Sequence, residues 1–186
     1  LTGIRAMECG DASGTGLLDV RRRSWHSGLL HALDPDRDLA ACLPPLVAAG
    51  QPMGTLREAA AAALGLPAGV KVAPGGGDNM MAAIGTGNVA PGCLTVSLGT
   101  SGTLYTHSVE PVIDESGVLA AFCSSTGGWL PLLCTMNCTV ATELTRNLLD
   151  IPLDELDRRV AGVPAGSAGV VTVPFFNGER SPDLPA

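Results

Sequence analysis

Asp78 stands directly behind three glycines, Gly75, Gly76 and Gly77, and is followed by Asn79. A carboxylate carried on a backbone without β-carbons can come close to a substrate and take its proton. Asn79 adds an amide that can both donate to and accept from a polyol hydroxyl. Further along, Ser97-Leu98-Gly99-Thr100-Ser101-Gly102 is a glycine-rich turn between two strand-like runs. Backbone N–H groups gathered in a tight turn favour an anion, and Thr100 and Ser101 add hydroxyl donors. A base and a phosphate turn together suggest transfer of a phosphoryl group to a hydroxyl. Each feature also has a plainer reading: Asp78 as the N-cap of a helix, and Gly99–Gly102 as a hairpin turn and no more.

Other constellations are weaker. The turn is not a P-loop, because no Gly-Lys-Ser/Thr follows it and the only lysine, Lys71, precedes it. Gly85-Thr86-Gly87 ends in Ala90 where a dinucleotide fingerprint needs a third glycine. Ser97, Ser101 and Ser124 lack a Gly-x-Ser-x-Gly elbow, and His26, His31 and His107 read as surface or packing residues. Asp11, Ser13 and Thr15 form a polar loop, either a substrate wall or a surface turn. The cysteines form no Cys-x-x-Cys pair and no histidine lies near them at metal-site spacing, so no metal ligand is assigned.

The elements that must position these residues follow from pattern. Gly10 to Gly16 reads as a loop, and a short ordered run spans Leu17 to Trp25. A helix follows with Leu29, Leu30 and Leu33 on one face, stopped at Asp34-Pro35. Thr55 to Leu64 reads as a helix with Thr55 and Glu58 at capping-box spacing, ended by Gly65. Val70 to Ala73 reads as a short buried strand leading into the glycines, and Asp78 caps a helix over Asn79 to Gly85. Beyond Pro91-Gly92, alternation of Leu94, Val96 and Leu98 with polar residues predicts a strand, returning over Thr103 to His107 after the turn. Val118 to Cys123 and Trp129 to Cys134 predict a second strand pair. Asn137 to Leu149 and Leu153 to Val160 predict helices, Gly169 to Val173 a last strand, and Phe175 to Pro182 a loop. The helix-rich half ends near residue 90, where the strand-rich half begins.

Composition sets the outer limits. At 186 residues and 46% hydrophobic, the chain can bury a core, and with 3% aromatics that core must be mainly aliphatic. A net charge of −7, with no basic run beyond Arg21, Arg22 and Arg23, disfavours nucleic acid. No apolar run approaches bilayer length, which argues against a membrane partner. The cysteines read as free thiols in a reducing, cytoplasmic setting. The chain opens at Leu1 on what reads as mid-domain sequence, a fragment or processed form.

Four segments, in order, resemble the FGGY carbohydrate kinases: Gly10-Asp11-Ala12-Ser13-Gly14-Thr15 with Leu18-Asp19-Val20; Gly75-Gly76-Gly77-Asp78-Asn79; Ser97-Leu98-Gly99-Thr100-Ser101-Gly102; and Pro174 with Gly178-Glu179-Arg180-Ser181-Pro182. The resemblance implies an α/β, actin-like ATPase (RNase H-like) two-domain fold. Residues 1–89 would end the N-terminal, sugar-binding domain, and residues 90–186 would begin the C-terminal, nucleotide-binding domain. It implies an ATP-dependent phosphotransferase with Mg²⁺, Asp78 as general base, Asn79 on the sugar, and Gly99, Thr100, Ser101 and Gly102 on phosphate. The string after the aspartate leans to D-xylulose, phosphorylated at its C5 hydroxyl. Kinases of ribulose, fuculose, gluconate or glycerol, and a non-catalytic sugar-binding module, are the alternatives. Implied partners are a small sugar and ATP, and a homodimer is compatible with the sequence. The family's first phosphate motif, its later adenosine motif and its early sugar-binding residues are missing from these residues, so the chain alone is expected to have little or no kinase activity.

Overall fold

Met7 and Glu8 form β1, which pairs in parallel with β4 (Leu46–Val47) in the register Met7↔Leu46 and Glu8↔Val47. A computed structural model describes residues 1–185 of the chain. The Glu8 carboxylate turns back to accept hydrogen bonds from the Gly10 and Asp11 amides, and so nucleates α1 (Cys9–Ser13). The sequence predicts a loop from Gly10 to Gly16. The structure replaces its first part with this one-turn helix, because a buried carboxylate supplies the capping acceptor that the local sequence does not advertise.

β2 (Leu18–Asp19) and β3 (Ser24–Trp25) form an antiparallel hairpin, followed by α2 (Ser27–Leu33), whose orphan Leu29 amide donates to His26 Nδ1. Cys9, Ala12, Leu18 and Cys123 make a small core, with Met7, Val20, Trp25, Leu46 and Trp129 packed against it. Both tryptophans keep their indole N–H satisfied, Trp25 on the Pro44 carbonyl and Trp129 on the Val20 carbonyl, each at 2.9 Å. The Arg23 guanidinium lies 4.2 Å from the centre of the Trp129 ring and donates to the Gly127 and Gly128 carbonyls. Burial pushes the Cys9 thiol up, and the neighbouring Cys123 and Glu8 add to this, which keeps it an inert core group.

The next helix, α3, runs Glu58–Leu64 and ends at Gly65 with φ 65°, as the glycine predicts. Its start differs from expectation. Thr55 does not cap it; the cap is Arg57 without a side-chain bond, and Thr55 instead bridges Lys71. The backbone of residues 53–56 is engaged by residues 70–72, with Met53 N–H on Val72 O, Leu56 N–H on Val70 O and Val72 N–H on Gly54 O. Val70–Ala73 is therefore a bridged, largely exposed segment, not the buried strand its apolar residues predict. α4 then spans Asp78–Gly85.

β5 (Leu94–Leu98), β6 (Gly102–Thr106) and β7 (Leu132–Thr135) form a sheet with β6 in the middle. The predicted pairing of Val118–Cys123 with Trp129–Cys134 is present as the bridges Ala120↔Leu132 and Cys123↔Trp129, with only its last residues regular enough to count as strand. α5 (Thr139–Leu148) and α6 (Leu153–Ala161) follow. Gly169–Val173 is not a strand: with no ladder partner among the described residues, Val171 remains 85% exposed. No helix of the described residues is long and apolar enough to cross a membrane.

By contacts the chain forms two compact units. The first comprises Leu1–Thr95, Tyr105–Glu115 and Ala120–Leu132; the second comprises Val96–Leu104, Ser116–Leu119 and the chain from Leu133 onward.

Candidate active site

The three glycines before Asp78 serve different physical ends. Gly75 has φ 76°, a left-handed conformation that favours glycine. Gly76 is a close approach: a β-carbon there would lie 2.6 Å from Ser125 Oγ, 2.8 Å from Met81 Cε and 3.2 Å from Glu8 Oε2. At Gly77 it would lie 2.9 Å from Met80 Sδ. Gly77, not Asp78, is the N-cap residue of α4, and it has no side chain with which to cap. Asp78 therefore occupies the first helical turn rather than the N-cap position the sequence allowed.

Asp78 is exposed, and its Oδ1 accepts from the Asn79 amide at 2.7 Å and from Asn79 Nδ2 at 3.2 Å. Its Oδ2 accepts no hydrogen bond from any described residue. The helix is fixed behind it by Met80 and Ala83, which face the interior. Past its C-terminus, Asn88 is 1% exposed and joins three groups: its amide donates to Thr95 Oγ1 and to the Tyr105 carbonyl, and its oxygen accepts from the His107 N–H, each at 3.0 Å. Tyr105 is buried. Burial pushes its phenol above the usual range, the Asp78 carboxylate adds to this, and a hydrogen bond with Thr95 opposes it.

In the second unit, the Gly99–Gly102 turn is held through its carbonyls. Gly99 O accepts from Thr139 N–H at 2.9 Å and Thr139 Oγ1 at 2.8 Å, while Thr100 O accepts from Cys138 N–H at 3.2 Å and Val140 N–H at 3.4 Å. The turn thus satisfies the orphan donors at the start of α5, a helix without a side-chain cap. Gly102 allows this packing, since a β-carbon there would lie 2.9 Å from Thr135 Oγ1. The Gly99 N–H is spent on Ser101 O, but the Thr100 and Ser101 amides donate to no acceptor among the described residues. Those two exposed residues, with free amides and hydroxyls, fit an anion.

Behind the turn lies Glu179, 3% exposed, which accepts from the Met136 N–H, from Asn137 N–H at 3.2 Å, from Asn137 Nδ2 at 3.0 Å and from Arg180 N–H at 2.7 Å. Burial pushes this carboxyl up, but the four donors outweigh burial and hold it at about 2. Glu179 therefore pins Met136 and Asn137, the residues that lead into the N-terminus of α5.

The remaining candidates are structural. Ser13 Oγ donates to Cys9 O and accepts from Cys123 N–H, and Thr15 Oγ1 donates to Ala12 O. Asp19 accepts from the Arg21 and Arg22 amides of its own hairpin, His107 is buried, and Ser124 hydrogen-bonds Thr126. No three His, Cys, Asp or Glu side chains converge as metal ligands among the described residues. Asp78 and Asn79 belong to the first unit and Gly99–Gly102 to the second. Sequence reasoning missed Glu8, Ser125, Asn88 and the packing role of Glu179. For Glu8 a signal existed: a lone carboxylate between the apolar Met7 and Cys9.

Residues 1–85 match the N-terminal domain of the FGGY family of carbohydrate kinases. The structure of the chain matches the corresponding part of solved carbohydrate kinases, which have the actin-like ATPase fold. The chain is 45% identical over 185 residues to the xylulose kinase of Haemophilus influenzae, covering all of this chain and 38% of that protein. A solved xylulose kinase structure from Brucella ovis superposes on the whole chain with a TM-score of 0.88 at 31% identity, over 37% of its own length. A gluconate kinase structure from Lactobacillus acidophilus matches 99% of this chain and 38% of its own, with a TM-score of 0.84 at 25% identity. The chain therefore spans less than two fifths of the relatives it matches.

Proposed function

We propose that the protein carrying this chain phosphorylates a ketopentose with ATP, converting D-xylulose to D-xylulose 5-phosphate. Asp78 carries the reading: it is an exposed carboxylate with one oxygen held by Asn79 and the other free, presented on bare glycine backbone. Asn79 orients Asp78 and contacts the sugar. Asp78 takes the proton of the C5 hydroxyl as the oxygen bonds to the γ-phosphorus and the bond to the ADP oxygen breaks. The Thr100 and Ser101 amides and hydroxyls hold phosphate oxygens, and α5 fixes the turn that carries them. ATP supplies the phosphoryl group, and Mg²⁺ would arrive with the nucleotide. Residues 1–89 and 90–186 are then parts of the sugar-binding and nucleotide-binding domains. The xylulose kinase relatives favour the pentose, and the likeness to a gluconate kinase makes gluconate the second candidate.

Two measurements on the intact protein test this. A panel of D-xylulose, D-ribulose, gluconate and glycerol, followed by ADP release, should give the highest kcat/KM with D-xylulose. Asp78→Ala should lower kcat by about 10²–10⁴-fold while sugar binding persists. Turnover that survives the substitution would remove Asp78 from the role of base.

A further inference from the structure

Glu8 is a buried carboxylate that no part of the phosphoryl-transfer reading uses. It is 2% exposed. One oxygen, Oε2, accepts three hydrogen bonds, from Gly10 N–H at 2.8 Å, Asp11 N–H at 3.3 Å and Ser125 Oγ at 3.0 Å. The other, Oε1, is buried with no partner among the described residues. An orphaned carboxylate oxygen in the interior costs stability, and capping a one-turn helix does not need it, since an exposed Ser or Asp caps as well. The carboxylate is better explained by what rests on it. A β-carbon at Gly76 would meet Ser125 Oγ at 2.6 Å and Met81 Cε at 2.8 Å, closer than real contacts, and would stand tight against Glu8 Oε2 at 3.2 Å. Gly10 is equally tight: a β-carbon there would stand 2.7 Å from Glu8 Oε2 and 3.0 Å from Met80 Cγ. The Glu8–Ser125 pair is thus in contact with the glycine loop just before Asp78, and Gly10 seats the methionine that anchors α4 just after it.

We propose that Glu8, acting through Ser125 and Gly76, is the positioning residue for Asp78: the hydrogen-bonded pair is the floor on which the glycine-rich loop rests, and it sets where the base is presented. The proposal rests on the reading of Asp78 as base. Displacing a base by about an ångström costs up to roughly 10²-fold in rate, so the effect should appear in kcat and hardly in sugar KM.

The test uses the intact protein with D-xylulose and ATP. Glu8→Gln and Ser125→Ala should each lower kcat by about 5- to 50-fold, with sugar KM changed less than about threefold. Gly76→Ala should lower kcat more, and adding Ser125→Ala to it should recover part of the loss, because the hydroxyl that its methyl meets is gone. Strict additivity of those two substitutions, or unchanged kcat in Glu8→Gln and Ser125→Ala, overturns the proposal. Should Glu8→Gln fail to fold, the Gly76 and Ser125 cycle decides alone. Asp78→Ala run in parallel separates the two readings: if it abolishes turnover while the Glu8 and Ser125 variants do not, only the positioning role fails, and if it leaves turnover intact, the base assignment fails first.

Discussion

Each unit holds a buried glutamate, Glu8 in the first and Glu179 in the second, and they are satisfied very differently. Glu8 leaves one oxygen bare, whereas Glu179 gathers four donors across both oxygens. The consequence at Glu179 is a pH dependence with a definite sign. Its carboxyl sits at about 2 in the fold against an ordinary 4.5, so the folded state favours the ionised form. The stability this contributes is complete above the ordinary value and is lost as pH falls through the interval from 4.5 toward 2. Acid unfolding followed by tryptophan fluorescence should show Glu179→Gln less stable than wild type at neutral pH, with a shallower loss across that interval. Parallel acid-unfolding curves for the two proteins would contradict the assignment.

At the scale of elements, short helices here are placed by long-range hydrogen bonds more than by their own caps. α4 begins at a glycine that cannot cap, and α5 begins at a cysteine without a capping bond. α5 is fixed by the Gly99 and Thr100 carbonyls, and α4 is fixed beyond its end by Asn88, which ties it to the Tyr105 and His107 backbone. Asn88→Ala strands the Tyr105 carbonyl and the His107 N–H in the interior and leaves a small void. We expect a loss of about 2–4 kcal/mol in urea unfolding of the intact protein. A loss within the range of a surface substitution would show that the network does not hold α4. The helix α6 offers a contrast, with Asp154, Glu155, Arg158 and Arg159 paired along its exposed surface. Such pairs contribute little individually, and the element depends on them less than α4 depends on Asn88.

At the scale of the whole chain, apolar surface is left open within each unit. Leu94 is 63% exposed in the first, and Leu98 at 72% and Val171 at 85% stand open in the second. Apolar residues exposed in this number mark surfaces that are normally covered, and the matched relatives are far longer than this chain. Expressed as these 186 residues, the polypeptide should self-associate in sedimentation velocity and show little or no ADP release with D-xylulose. A monodisperse monomer turning over at the rate of the intact protein would refute both expectations.

The sequence alone determined what short-range pattern can carry. The glycine that ends α3, the helices at Ser27–Leu33, Thr139–Leu148 and Leu153–Ala161, the strand–turn–strand around Gly99, and the likeness to carbohydrate kinases were legible there, because caps, periodicity and motif order are local. It singled out Asp78 and Asn79 as candidates with helix capping as the plainer reading of Asp78, and it predicted strands at Val70–Ala73 and Gly169–Val173 from apolar content alone. Only the tertiary structure could decide that Val70–Ala73 is bridged to residues 53–56 yet stays largely exposed, and that Gly169–Val173 meets no ladder partner among the described residues, since a strand exists through its pairing partner. Only it could reveal Ser125 on Glu8, 117 residues away in sequence, or Glu179 beneath the start of α5. A buried polar group must find its partner wherever the fold brings one within about 3 Å, and no periodicity in the chain records which one that will be.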